Sequence, residues 1–201
     1  MTSPENNIFP VFDQIINRDQ KEKLLKQKAK VVWFTGLSGS GKTTLGASVE
    51  KELYKKNFLT QILDGDNIRS GINKNLNFSD EDRIENIRRI AEVNKLFLNC
   101  GIITLNCFIS PTEDIREMVK SIIGPENFIE IYVSTPIEVC EQRDTKGLYA
   151  KARRGEIPNF TGISSPFEVP LHPDLDIDTS ILSLEEATKK ILDYLLTKIN
   201  G

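Results

Sequence analysis

Val31-Val32-Trp33-Phe34-Thr35-Gly36-Leu37-Ser38-Gly39-Ser40-Gly41-Lys42-Thr43-Thr44 decides the fold of this chain. Its first five residues are β-branched or aromatic and nearly all apolar, as suits an interior parallel strand covered on both faces. The next eight match GxxxxGK[ST] at every fixed position. Glycine lets the backbone curl tightly, so that N–H groups along Gly36, Leu37, Ser38, Gly39, Ser40 and Gly41 can point inward at phosphate oxygens. A helix is predicted from about Lys42 to Lys55, with Leu45, Val49 and Leu53 on one face. Its positive end faces the same phosphates. Lys42 is expected to bridge the β- and γ-phosphates and the Thr43 hydroxyl to ligate Mg²⁺, with Thr44 beside it. The segment predicts a nucleoside triphosphate site; it does not say where the phosphate goes.

Outward from this segment, strands and helices alternate. A second strand is predicted at Phe58–Leu63, ending in Asp64-Gly65-Asp66, and a long helix starts at an N-cap Ser79 with Asp82 at its third position and ends near Asn99. Ile84, Ile87, Ala91 and Leu98 should form its buried stripe. Ile102–Phe108 reads as a third strand, followed by a helix capped by Ser110 with Pro111 at its start. Phe128–Val133 reads as a fourth strand, and Thr135-Pro136 repeats the start signal. Asp176–Asp178 predicts a short fifth strand. The last helix has Ser183 as N-cap, Glu186 reciprocating, and a stripe of Leu184, Ala187, Ile191 and Leu195. This alternation predicts one three-layer α/β domain over residues 1–201, with a mostly parallel five-stranded sheet. Residues 1–29 read as an N-terminal arm or short helix. Residues 144–173, rich in glycine and proline, are too long for a routine connector and read as a lid.

Composition narrows the class. The 201 residues suit one domain, and 39% apolar with 27% charged residues describes a globular chain with enough apolar surface for a core. The 26 lysines and arginines against 29 acidic residues give a formal charge of −3. That balance argues against broad nucleic-acid binding while leaving room for a small basic pocket. No apolar run approaches the roughly 20 residues that span a bilayer, and the start lacks a signal-peptide pattern. A cytoplasmic location without membrane attachment is the expectation. Cys100, Cys107 and Cys140 form no CxxC pair and are expected as small buried hydrophobes. His172, the only histidine, has no metal-binding cluster around it.

Three constellations bear on the chemistry. Asp64 and Asp66 end the second strand, and in a parallel sheet the C-terminal strand ends share one rim. One aspartate can steady hydrated Mg²⁺ and the other can accept a hydroxyl proton, although spacing alone does not assign the two roles. Arg69, then Arg83, Asn86 and Arg89 on one helix face, suit a small anionic acceptor. A purely solvated helix face beside Glu81, Glu85 and Glu92 is the plainer reading, and Arg88 reads as a solvent or lid contact. Between Arg143 and Glu156 there are five basic residues against two acidic ones. A lid of that charge could close over a polyphosphate and exclude water. Phe78 and Phe160 could stack on a planar base or simply pack in satellite cores.

Taken together, several blocks resemble the adenylylsulfate kinase (APS kinase) family. They are Trp33–Lys42, Leu63–Arg69, Phe78-Ser79 with Asp82–Arg89, and Phe108–Pro111. Further blocks are Cys140–Asp144, Lys146–Tyr149 and Phe160–Ile163. The resemblance runs from about residue 30 to 180. It implies the P-loop nucleoside triphosphate hydrolase fold with a lid, and ATP-dependent phosphorylation of adenylyl sulfate at its ribose 3′-hydroxyl with Mg²⁺ as cofactor. It implies that Arg69, Phe78, Arg83, Asn86 and Arg89 bind that acceptor together with Ile109, Ser110, Lys146, Leu148 and Phe160, the adenine lying between Phe78 and Phe160. It further implies catalytic roles for Lys42, Asp64, Asp66 and Ser110, with Asp66 nearest the 3′-hydroxyl. Asp64 would share the metal with Thr43, Arg143 would serve the ATP site, and Ser110 matches a position described as a phosphoserine. Ser70 and Thr112-Glu113 depart from the family pattern without removing a required group. A homodimer is the expected assembly. A kinase for another small acceptor and a nucleotide-dependent switch are the competing readings.

Overall fold

The computed structural model describes Val11 and residues 14–201, so the rest of the expected N-terminal arm lies outside the described residues. The segment quoted above forms β1 (Val31–Thr35), buried at every position, followed by α2 (Lys42–Lys55). An earlier helix, α1 (Arg18–Leu25), is started by a capping box between Asn17 and Gln20. It is docked: Arg18 reaches the Asn127 side chain and the Ala29 carbonyl, and the nearly buried Glu22 accepts from Arg18, Lys28 and the Ala29 N–H.

The sheet is completed by β2 (Thr60–Asp64), β3 (Ile103–Cys107), β4 (Phe128–Tyr132) and β5 (Leu175–Asp176). Its order is β2-β3-β1-β4-β5 and every pairing is parallel. Three helices follow β2 and β3: α3 (Gly65–Ser70), α4 (Asp80–Asn99) and α5 (Glu113–Ile123). After β4 come α6 (Ile137–Arg143) and α7 (Leu148–Arg153), and α8 (Leu184–Ile199) closes the chain.

Two apolar clusters cover the two faces of the sheet. Leu45, Val49 and Leu53 of α2 pack with Ile191 and Leu195 of α8 against Val32, Phe34 and Leu105. On the other face Ile87, Ile90 and Ala91 of α4 join Ile115 and Val119 of α5 over Val31 and Trp33. Both sets obey the three- and four-residue spacing of amphipathic helices, and each fully buried aliphatic side chain contributes about 1.5–3 kcal/mol. Because β1 leads to β2 on one side while β3 leads to β4 on the other, the chain reverses direction across the sheet beside β1. The rim at that reversal is where α/β sheets bind ligands.

Several expectations are corrected. Leu184 and Ile84 are 46% and 44% exposed, because each lies at its helix's N-terminal end before the buried stripe begins. Cys100 is exposed as the C-cap of α4, outside β3, whereas Cys107 and Cys140 are buried as expected. The N-cap of α5 is Thr112, whose hydroxyl accepts from the Ile115 N–H; Ser110 is turned elsewhere. Helix α6 starts after Pro136, which frees the Thr135 hydroxyl to donate to the Ser40 carbonyl. Among the described residues, no helix is long and apolar enough to cross a membrane.

Candidate active site

At the C-terminal end of β1 the chain turns through Gly36 and enters α2 at Gly41, whose φ of 102° favours glycine. A Cβ on Gly36 would lie 2.6 Å from the Val133 carbonyl oxygen, so the loop can approach β4 this closely only with glycine there. Lys42, 8% exposed, folds back to donate to the carbonyls of Gly36 at 2.9 Å and Leu37 at 2.6 Å. Burial lowers its ammonium pKa to about 8. The cation is therefore held inside the glycine loop, where a phosphate would take over its contacts.

The second strand brings its aspartates to the same place, and here geometry divides their roles. Asp64 accepts the Thr43 hydroxyl at 2.7 Å through one oxygen and the Asp66 N–H at 3.0 Å through the other. It thus caps α3 while fixing the first hydroxyl of α2. Thr43 and Asp64 together present hard oxygen donors, a set that fits Mg²⁺ held largely by phosphates and water. Asp66 has no such duty. Its side chain is 74% exposed and pairs with Lys146 from the lid.

The rest of the candidate site is built from α3, α4 and the loops around them. Arg69 donates to the Asn77 carbonyl at 2.8 Å and lies 4.5 Å over the Phe78 ring. Arg83 donates to the carbonyls of Phe78 and Asn159 at 3.0 and 2.7 Å and to the Thr161 hydroxyl at 3.2 Å. One guanidinium therefore ties Phe78 to the two neighbours of Phe160, which places both phenylalanines at one cleft. Phe78 is 66% exposed there, while Phe160 is buried edge-on against Tyr149 at 5.0 Å between centroids. Asn86 is buried and its side-chain carbonyl accepts from Asn73 at 2.9 Å. Arg89 reaches Glu85 and Asn75, and Arg88 also binds Glu85. Those two hydrogen-bonded guanidinium groups pull the Glu85 carboxyl down to about 2. Arg89 is thus brought to the cleft already paired, and Arg88 belongs to the solvated face.

Ile109 and Ser110 follow β3 onto the rim. Ser110 is 2% exposed and has φ of 40°, unusual for a residue with a Cβ. Its hydroxyl accepts from Trp33 Nε1 at 3.0 Å and donates to Thr35 Oγ1 at 2.9 Å, and Thr35 in turn donates to the Ile109 carbonyl at 2.7 Å. Each hydrogen in that chain has a partner, so the buried serine acts as a brace.

The lid contributes less free charge than its composition suggests. Arg153 is paired with Glu141 and Arg154 with Glu156, while Lys146 meets the rim at Asp66. Leu148 begins α7 and belongs to a small apolar cluster with Tyr149, Ala152, Phe160 and Leu37 of the glycine loop. Tyr149 also donates to the Ser38 carbonyl at 2.8 Å. Arg143 donates to Thr179 twice at 2.8 Å and leans on the Gly39 carbonyl, flanking the loop opposite the aspartates.

Trp33, Thr35, Tyr149 and Thr179 support the site but escaped sequence reasoning. A threonine closing an apolar strand at the sheet rim was a usable signal for Thr35. Nothing local marks Thr179, whose partners lie far away in the chain. An open groove lined by Tyr132, Ser134, Pro136 and Phe167 runs along the later part of the lid, residues 160–169, called the flap, and includes none of the aspartates or arginines. The chemistry-bearing side chains converge on the sheet rim instead.

A family model described as adenylylsulphate kinase matches residues 28–178. The chain is 62% identical over 195 residues to the adenylyl-sulfate kinase of Bacteroides fragilis strain YCH46, covering 97% of this chain and 96% of that protein. It is 63% identical over 195 residues to the adenylyl-sulfate kinase of Bacteroides thetaiotaomicron, covering 97% of each. The solved Mycobacterium tuberculosis APS kinase in complex with AMPPNP and APS superposes with a TM-score of 0.81 at 44% identity. That match covers 84% of this chain and 98% of the other.

Proposed function

The chain belongs to the adenylylsulphate kinase family of kinases, and we propose that it transfers the γ-phosphoryl group of ATP to the ribose 3′-hydroxyl of adenylyl sulfate. The observation that carries the residue roles is the bridge from Thr43 through Asp64 to the Asp66 N–H. This bridge supports the reading by tying the helix that bears Asp66, paired with Lys146, to the loop that would hold the triphosphate.

In this reading Lys42 leaves the Gly36 and Leu37 carbonyls for the β- and γ-phosphate oxygens. Mg²⁺, held by Thr43 and Asp64, would supply further neutralisation of phosphate charge. Asp66, released from Lys146 as the acceptor enters, orients the 3′-hydroxyl and takes its proton as the new O–P bond forms and the bond to ADP breaks. Arg69, Arg83 and Arg89 exchange their backbone and side-chain oxygens for those of the acceptor's anionic groups, with Asn86 beside them. Phe78 and Phe160 offer ring faces to its adenine, with Ile109 and Leu148 completing the pocket. Ser110 braces the Ile109 corner through its buried hydroxyl, bonded to both Trp33 and Thr35. Arg143 and the glycine-loop backbone hold ATP. We also propose a cytoplasmic homodimer, for which light scattering is the test of assembly.

Incubation with Mg·ATP and a panel of adenylyl sulfate, AMP, shikimate and gluconate, followed by ADP release, tests the proposal. Release that depends on adenylyl sulfate is expected. Release with another member of the panel alone would transfer the chain to a different acceptor.

A further inference from the structure

Beneath the acceptor rim lies a charged group that phosphate transfer does not use. Arg116 of α5 is 1% exposed, yet it reaches three different parts of the fold. Its Nη1 donates to the Ser110 carbonyl at 3.0 Å and its Nη2 to the Glu113 carboxylate at 2.5 Å. Its Nε lies 3.3 Å from Oε1 of Glu130, itself buried in β4, but without hydrogen-bond geometry: both atoms are buried without a hydrogen bond. A buried ion pair costs desolvation that it recovers only with good geometry. Here the guanidinium departs from good geometry toward Glu130 and keeps it toward Ser110 and Glu113. Arg116 is the closer donor to the Ser110 carbonyl, the Thr35 hydroxyl lying at 3.4 Å, and Ser110 is buried at a loop corner with a left-handed backbone. The flap is pinned to the same corner. Glu168 accepts the Glu113 N–H at 2.7 Å and donates its own N–H to the Pro111 carbonyl at 2.8 Å.

We infer that Arg116 is a positioning residue for the acceptor pocket, its guanidinium holding the Ser110 carbonyl so that Ile109 and the flap anchored at Glu168 keep their places. The inference rests on the proposed acceptor pocket and touches no part of the ATP site. Lysine has no planar fork and cannot serve the three partners together. Arg116→Lys should therefore raise KM for adenylyl sulfate at least fivefold, with KM for ATP within twofold of wild type. Arg116→Met combined with Glu130→Leu leaves no unpaired buried charge, so it should fold and show the same selective rise. Glu130→Gln preserves the Ser110 contact and should keep both KM values within twofold.

A folded double variant, or a folded Arg116→Lys, with unchanged KM for adenylyl sulfate would overturn the role. So would a Glu130→Gln enzyme as impaired toward the acceptor as Arg116→Lys, since the ion pair would then be the cause. Wild-type turnover with adenylyl sulfate, measured alongside, tests the acceptor assignment separately. Its absence would refute that assignment, and the variants' KM values for whichever panel acceptor releases ADP would then judge Arg116.

Discussion

The two halves of the site are built differently. Around the glycine loop the central cation is buried and bonded to nearby carbonyls, and the loop's other carbonyls are clamped by the side chains of Tyr149, Thr135 and Arg143. Across the rim the polar groups arrive from four segments far apart in sequence, and the key carboxylate and the Phe78 ring are exposed. The donor half is thus preorganised by glycine geometry and by side chains that clamp the loop's carbonyls. The acceptor half has its cations resting on protein oxygens that an anion must displace. Electrostatic catalysis gains most from groups already in place, so losses should be steepest in the donor half.

Lys42→Ala removes the only cation inside the loop and should reduce kcat/KM by at least about 10³-fold. A steady-state assay showing less than a tenfold loss would mean the loop backbone suffices. Next in size, Asp66→Asn should lower kcat by roughly 10²–10⁴-fold while calorimetry finds ATP affinity unchanged, because the amide can still accept a hydrogen bond but cannot take the proton. A full kcat in that variant would dissociate Asp66 from the chemistry. Arg83→Lys should leave the ATP side untouched and raise the acceptor's KM about tenfold, since a single ammonium cannot replace a fork that contacts three oxygens. Equal effects on both substrates would show that the halves are not separable.

The smallest expected effect is a pH dependence. Burial sets the Lys42 ammonium at about 8 in the free protein, and phosphate oxygens would raise it. Binding then takes up a proton above that pH. KM for ATP should be flat below pH 7 and rise above pH 8 by no more than about tenfold per unit. A KM for ATP independent of pH from 7 to 9 would argue that Lys42 stays charged without the nucleotide.

This contrast also explains how legible the molecule was. The glycine loop, both aspartates and the alternation of strands and helices follow from residues adjacent in sequence, and the amphipathic stripes of α2 and α8 follow from their period. Ser110 was misplaced as a cap because Ser-Pro is a strong local start signal. The competing attraction, Trp33 Nε1, lies on another strand and is invisible to local reasoning. The lid's net positive charge was real, but Glu141 and Glu156 absorb two of its arginines through side-chain geometry that composition does not carry. Spacing alone does not tell Asp64 from Asp66; the family resemblance does, and the Thr43 contact gives the physical difference between them.

The apolar cluster of the lid is continuous with the donor loop through Leu37, and a Cβ at Gly162 would come within 2.9 Å of that leucine. Phe160 and the glycine loop consequently share one partition, the apolar cluster that contains Leu37. Any shift in that partition is a thermodynamic cross-term. If ATP tightens the hold on the second ligand by some factor, the second ligand must tighten the hold on ATP by the same factor.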